Sequence, residues 1–269
     1  MSTDSGVYAA VKKDGTLYYR SNITYQYKHI SLGSYSDSLS AHEAYLFAQH
    51  ILATDTYGIS SCHTDQILSF GKQISLINFR DHDIYFANPI YLYKHFFEYY
   101  LTPEICLKFD IDDLFYYSSH KITQRGGHLC VADYGSQISI ITRHGLKPYS
   151  VYGRDYTTLS QDPYDFRRQN LCIINPYQGV FEVKNKTGAK YKAVIHLRSN
   201  YVIGTYDTAE AAAIAYNKAI DILTKKGVNK NFTPNYLANI SPAVYASLYT
   251  KCAISSKIIN FNPSISRIH

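Results

Sequence analysis

Near its start the chain carries three short stretches in which apolar and polar residues alternate: Gly6-Val7-Tyr8, Tyr19-Arg20-Ser21-Asn22-Ile23-Thr24 and Leu32-Gly33-Ser34-Tyr35. A period of two, broken by turn residues, predicts a three-stranded antiparallel meander. The same pattern returns as Gly179-Val180-Phe181, Tyr191-Lys192-Ala193-Val194-Ile195-His196 and Ile203-Gly204-Thr205-Tyr206. The displacements are 173, 172 and 171 residues, so the copies differ by single-residue slips inside turns. At the last displacement Ala44-Tyr45 matches Ala215-Tyr216, Ala48 matches Ala219, and Ile51-Leu52 matches Ile222-Leu223. Five segments matching in one order constitute an internal repeat.

Behind the second meander, Asp207-Thr208-Ala209-Glu210 reads as a capping box with Asp207 as N-cap. Ala212, Ala215, Tyr216, Ala219 and Leu223 then recur at helical spacing. Small side chains let a helix lie close to a small sheet and bury one of its faces. The other face stays exposed, a liability unless it binds something.

Between the copies, Ile74-Ser75-Leu76-Ile77-Asn78-Phe79 predicts a strand, and Tyr85 to Tyr100 predicts strand and strand-turn-helix material. Asp110 to Tyr117 predicts a short helix entered by acidic residues. Strands are expected at His128–Val131 and over 137–142, and 162–171 reads as a turn-rich loop running into a strand. Ser241-Pro242 starts a tail helix suited to docking or dimerisation. The expectation is an α+β protein divided into a first module (1–53), a core (54–178), a second module (179–240) and a helical tail (241–269).

Composition narrows the class. The 269 residues carry 27 Lys+Arg against 21 Asp+Glu, a formal charge of +6, and 28 tyrosines. This much aromatic surface excludes intrinsic disorder. No apolar run is long enough for a membrane span, and the first residues show no secretory signal. Five cysteines without any Cys-x-x-Cys argue against a disulfide framework or zinc finger and for a reducing, cytoplasmic setting. Mild basicity permits a nucleic-acid partner without requiring one.

The segments Gly179-Val180, Tyr191 to Ile195, Ile203 to Tyr216 and Asn231-Phe232 resemble the ethylene-response-factor (AP-two-type) DNA-binding domain of plant transcription factors and its relatives in homing endonucleases. The match covers 179–232, and residues 6–52 join it through the repeat. The resemblance implies binding of double-stranded DNA through the exposed meander face, set in the major groove. Strand alternation nominates the outward side chains: Arg20, Asn22, Thr24, Gln26 and Lys28 in the first copy, and Lys192, Val194, His196, Arg198, Asn200 and Val202 in the second. Arg and Lys can reach guanine or phosphate, and Asn or Gln can read adenine. Phe181 and Val183 stand where the plant domains usually carry arginine, so base specificity does not transfer.

The middle segment resembles the HNH module of homing endonucleases, through Asp112-Asp113, Gly126-Gly127 and above all Asp162-Pro163-Tyr164-Asp165-Phe166-Arg167-Arg168-Gln169-Asn170-Leu171. That chemistry needs a histidine base and a divalent cation. No histidine lies between His144 and His196, and Phe166 replaces the asparagine of the Asp-Asn-Arg element. The expectation is therefore a pseudo-nuclease scaffold with no catalytic residues, metal or cofactor, and with Arg154, Arg167 and Arg168 available to DNA. Asp110, Asp112, Asp113, His120 and His128 match no cation loop, Asp81-His82-Asp83 reads as a surface turn, and Cys62-His63 has no partner at zinc spacing.

The tyrosines from Tyr85 to Tyr156, with Phe96 and Phe97, suit plain packing. They also suit a pocket in which Arg125, Arg143, Arg154 and Tyr152 hold a flat anionic effector such as a nucleotide. The functional expectation is a non-enzymatic transcriptional regulator of the cytoplasm and nucleoid, with two unlike half-sites, an effector and a homodimer as further options. An active HNH homing endonuclease and a nucleotide sensor acting through protein contacts remain the alternatives.

Overall fold

The computed structural model describes residues 5–133, 135–185 and 188–263; Tyr134 of the aromatic set, the first four residues and the last six of the tail lie outside them. The fold is α+β, with several three-stranded antiparallel sheets and six helices among the described residues. It comprises two compact units. The first runs to Gly145 and resumes at Thr157–Cys172; the second takes Leu146–Tyr156 and then the chain from Ile173 onward.

In the first unit β1 (Val7–Val11), β2 (Leu17–Tyr25) and β3 (Lys28–Tyr35) pair antiparallel in that order, and α1 (Ser38–Ala53) lies across one face. Ala41, Ala44 and Ala48 are fully buried there, as the alanine spacing requires. The sheet has a bulge: Ser21 pairs with Gly33 and Asn22 with Ser31, leaving Leu32 as the extra residue of β3. Gly6 enters the sheet at φ +78, and a β-carbon there would overlap the Tyr45 ring and the Asn22 carbonyl.

Next comes α2 (Phe70–His82), a helix where the sequence pattern predicts a strand at 74–79. Every residue from Gln73 to Phe79 is buried, so the helix shows no polar stripe from which its period could be read. Its polar groups are paired. The Gln73 amide donates to the carbonyls of His63 and Leu68, both at 2.8 Å, and Asn78 bridges the Ile84 carbonyl and the Leu92 amide. Ile74, Ile77 and Phe79 share one core with Ile23, Ile30, Ala44 and Ile51, so the first sheet–helix module is continuous with the segment beyond residue 53.

A second sheet orders β4 (Ile90–Leu92), β5 (Phe96–Tyr100) and β6 (Cys106–Asp110), followed by a helical turn into α3 (Leu114–Ser119). A third orders β7 (Ile122–Arg125), β8 (His128–Asp133) and β9 (Ser136–Ser139). The strand expected to reach 142 stops at Ser139, where a 3-10 turn over Ile140–His144 turns Ile140 and Ile141 into the interior. β10 (Tyr156–Thr158) and β11 (Leu171–Ile173) form a short ladder.

The second unit repeats the first module. β12 (Val180–Asn185), β13 (Gly188–His196) and β14 (Asn200–Tyr206) pair in order, under α4 (Ala209–Lys225). The bulge recurs, with Ala193 opposite Gly204, Val194 opposite Val202, and Ile203 as the extra residue. The N-cap of α4 is Thr208, whose hydroxyl accepts from the Ala211 amide at 3.1 Å. Asp207, expected there, sits one residue too early and pairs with Lys190 instead. Asp37, the counterpart of Thr208, caps α1 through the Ser40 amide at 2.8 Å.

The tail docks on its own unit. α5 (Pro242–Lys251) meets α4 through the Tyr249 hydroxyl on Asp221 at 2.7 Å, and Lys218 donates to the Cys252 carbonyl at 3.1 Å. α6 (Ser256–Ile259) buries Ile258 against the second core, while the Ser255 amide donates to the carbonyl of Ile203.

Candidate nucleic-acid interface

Pairing register settles which residues share the outward faces. In the first sheet Arg20 stands between Tyr8 and Ser34, Asn22 opposite Ser31, and Thr24 opposite His29. Their neighbours Ser21 and Ile23 are buried on the α1 side, so Arg20, Asn22 and Thr24 point away from the helix. Arg20 lies over the Tyr18 ring and donates to its hydroxyl at 2.6 Å. It has no carboxylate partner among the described residues. The Thr24 hydroxyl and His29 Nδ1 are 3.3 Å apart. The resulting face combines these donors and acceptors with the exposed ring of Tyr8.

Two expected members leave this face. The strand ends at Gln26-Tyr27, a two-residue turn with φ +44 and +61, and the Gln26 amide reaches Asp83. Lys28 then pairs opposite Tyr25, whose ring packs on the core, so Lys28 lies on the α1 side with its ammonium over the Tyr85 ring. The alternation that nominates both residues runs through a turn.

In the second sheet Lys192 stands between Phe181 and Thr205, Val194 opposite Val202, and His196 opposite Asn200. His196 Nδ1 and Asn200 Oδ1 are 2.9 Å apart. Lys192 is half-buried and makes no ion pair among the described residues. Arg198 is exposed but belongs to the hairpin loop 197–199 rather than to a strand. Phe181, Val194 and Val202 make this face more apolar than the first.

The second face is also walled. Its floor opens into a cleft of about 840 Å³ lined by Lys147, Pro148, Tyr149 and Arg154 on one side and Lys230 to Thr233 on the other. Asp155, with no exposed surface, anchors the first wall. Its carboxylate takes Lys147 at 2.8 Å, Arg154 at 2.7 Å and the Val151 amide at 2.9 Å. Burial alone would raise the Asp155 pKa, but the bonds from Arg154 and Lys147 outweigh it and hold the carboxyl below its usual range. Lys147 and Lys230 escape sequence reasoning because they lie far along the chain from Lys192 and carry no motif.

The segment from Asp162 to Leu171 ties its polar groups into the structure. Asp165 is buried, and its carboxylate receives Arg167 in a two-pronged pair at 2.8 and 2.6 Å. Burial would raise this carboxyl too, and the Arg167 bonds lower it. Arg167 also lies 4.9 Å over Phe96, so its charge is largely engaged. Arg168 is exposed, with its amide on Asp110 at 2.8 Å. Phe166 completes a triangle of rings in the aromatic core, 5.7 Å from Phe109 and 5.6 Å from His144, which are 5.6 Å from each other. Burial pushes His144 down to about 4.

The acidic residues considered as metal ligands are dispersed. Asp113 takes Arg143 at 2.8 Å, Asp110 takes the Arg168 amide, and His120 lies 3.7 Å from Asp133. Among the described residues no three His, Cys, Asp or Glu side chains are grouped as a metal ion would require. All five cysteines are free thiols. Among the described residues no helix is long and apolar enough to cross a membrane.

The expected effector residues divide between the two units. Arg125 ends β7 in the first unit, exposed, and Arg143 in the same unit stacks on Tyr116 at 3.7 Å. Tyr152 and Arg154 belong to the second unit, where Tyr152 meets Tyr156 edge-on and Arg154 lines the cleft. The tyrosines mostly pack: Tyr99 and Tyr117 are buried, and the Tyr93 and Tyr100 hydroxyls share Glu98. No family model, curated protein or solved structure matches the chain.

Proposed function

We propose that the chain is a sequence-specific double-stranded DNA-binding protein, a transcriptional regulator without nuclease activity, whose two repeated sheets present their outward faces to the duplex. The observation that carries this reading is the twice-built sheet with its helix on one side and Arg20, Asn22 and Thr24, or Lys192, His196 and Asn200, on the other. Strands of this width enter the major groove, and these side-chain types match base edges and phosphates there. Because the two faces carry different residues, they would read two unlike half-sites. The likeness to AP-two-type domains and the net charge of +6 support the same partner.

Catalysis is left out of the proposal because the HNH-like element spends Asp165 and Arg167 on each other and Phe166 on the core. Selection of duplexes from a random pool by the full chain, followed by sequencing, tests the reading. Enrichment of a site with two distinct elements is expected; no enrichment over the starting pool would overturn it. A plasmid-nicking assay with magnesium or manganese addresses the endonuclease alternative, and metal-dependent cleavage would replace the proposal with that one.

A further inference from the structure

We propose that the cleft over the second sheet binds a mononucleotide, with its base against Phe181 and Phe232 and its phosphate on Lys192. Small-molecule sites are concave, largely apolar and furnished with a few converging polar groups, and their volumes span the roughly 840 Å³ found here. Four cations line this space, Lys147, Arg154, Lys192 and Lys230, of which Lys147 and Arg154 share the buried Asp155 carboxylate. Among the described residues Lys192 makes no ion pair, and Lys230 donates to the carbonyls of His196 and Leu197 rather than to a carboxylate. The Arg154 guanidinium lies 5.2 Å over Phe181, and the Lys230 ammonium 5.9 Å over Phe232. Glu182 is the one carboxylate in the lining among the described residues, so the cleft is net positive.

The ligand class is set by this combination. A free phosphate would use the cations but not the two phenyl rings, and an apolar ligand would use the rings but desolvate the Lys192 ammonium, which has no ion pair among the described residues. A flat heteroaromatic base carrying a phosphate uses both, and the His196–Asn200 pair at the far end of the floor offers polar groups for a base edge. The Asp155 anchor holds one wall in place, so the cleft exists without the ligand. Lys192 and His196 are also the side chains that the second sheet would turn toward DNA. Resting on the DNA-binding reading, a nucleotide in the cleft competes with the duplex for that face and acts as the gating effector.

Calorimetry on the full chain, without DNA, tests the site with the four ribonucleoside 5′-monophosphates, inorganic phosphate and the matching nucleosides. At least one monophosphate should bind, and its nucleoside should bind about tenfold more weakly or worse, as expected for the loss of charge-assisted bonds. Lys192→Ala and Phe181→Leu should each weaken binding about fivefold or more, while Lys94→Ala, at an exposed position of the first unit, leaves it unchanged. A short single strand bearing the same base separates a free nucleotide from one within a strand; tighter binding of the strand would overturn the free nucleotide as occupant. No binding by any monophosphate, or binding indifferent to both substitutions, overturns the site itself. Duplex titrations run separately keep the outcomes apart. Nucleotide binding without duplex binding would sink the DNA reading and leave the cleft, and duplex binding without nucleotide binding would do the reverse.

Discussion

Gly179 lies against the ring of Tyr216 so closely that a β-carbon would overlap it, while its carbonyl accepts the Val194 amide at 2.7 Å. Gly6 meets Tyr45 in the same way, and its carbonyl accepts the Asn22 amide at 2.9 Å. In each module this contact pins the first strand to the helix and fixes the central-strand residue just past the bulge. Asn22 and Val194 are therefore equivalent positions, and both lie on the outward face.

Gly179→Ala should destabilise the second unit strongly, by about 2–4 kcal/mol, because it adds overlap to the strain of φ +69. Gly227 sits at φ +83 with open space around it, so Gly227→Ala carries the backbone strain alone, about 1–2 kcal/mol. Thermal midpoints of the two variants measure the difference. Equal midpoints would show that the glycine–tyrosine contact does not hold the strand.

His144 links stability to pH. Burial depresses its pKa from 6.5 to about 4, so the unfolded chain binds a proton in a range where the folded chain does not. Its contribution is fully present above pH 6.5 and is lost as pH falls toward 4, amounting to about 3 kcal/mol over that window. Asp155 and Asp165 have lowered pKa values, so they withdraw stability only at still lower pH. Unfolding midpoints from pH 7 to 4.5 should fall for the native chain and fall clearly less for His144→Leu. A parallel decline in both would assign the acid sensitivity elsewhere.

Phe166→Asn supplies the residue type that the proposed likeness to HNH modules calls for, and it should cost stability without bringing nuclease activity. A polar amide packed against Phe109 and His144 loses the buried ring and leaves its own donors unpaired, about 3–5 kcal/mol in all. Thermal unfolding and magnesium-dependent plasmid nicking, measured on the same preparation, check both halves. A stable variant that cuts DNA would restore the endonuclease alternative.

The repeat is legible because its signals are local: alternation, Gly at fixed displacements, and alanines at helical spacing. The features that escape a sequence reading involve burial or distance. The segment Ile74–Phe79 reads as a strand because α2 is buried all round and loses its amphipathic stripe. The Thr208 cap is displaced by one residue from the expected position because Asp207 is an equally good capping type and Glu210, three residues after it, completes a capping box in that frame only, whereas in the structure Ala211 stands at N3. Gln26-Tyr27 carries no Gly or Asn to mark a hairpin, so alternation alone puts Lys28 on the wrong face. The cleft joins Arg154, Lys192 and Lys230 across the fold, and no local pattern announces such a convergence.

The central claim is that the outward sheet faces bind DNA, and fluorescence anisotropy with the selected duplex tests it most directly. The measurement compares the native chain with Arg20→Ala, Lys192→Ala and the double variant across a series of salt concentrations. Each single change should weaken binding about fivefold or more, the double change should do so roughly multiplicatively, and affinity should fall steeply with salt. Affinity that ignores both substitutions, or does not vary with salt, would contradict the account.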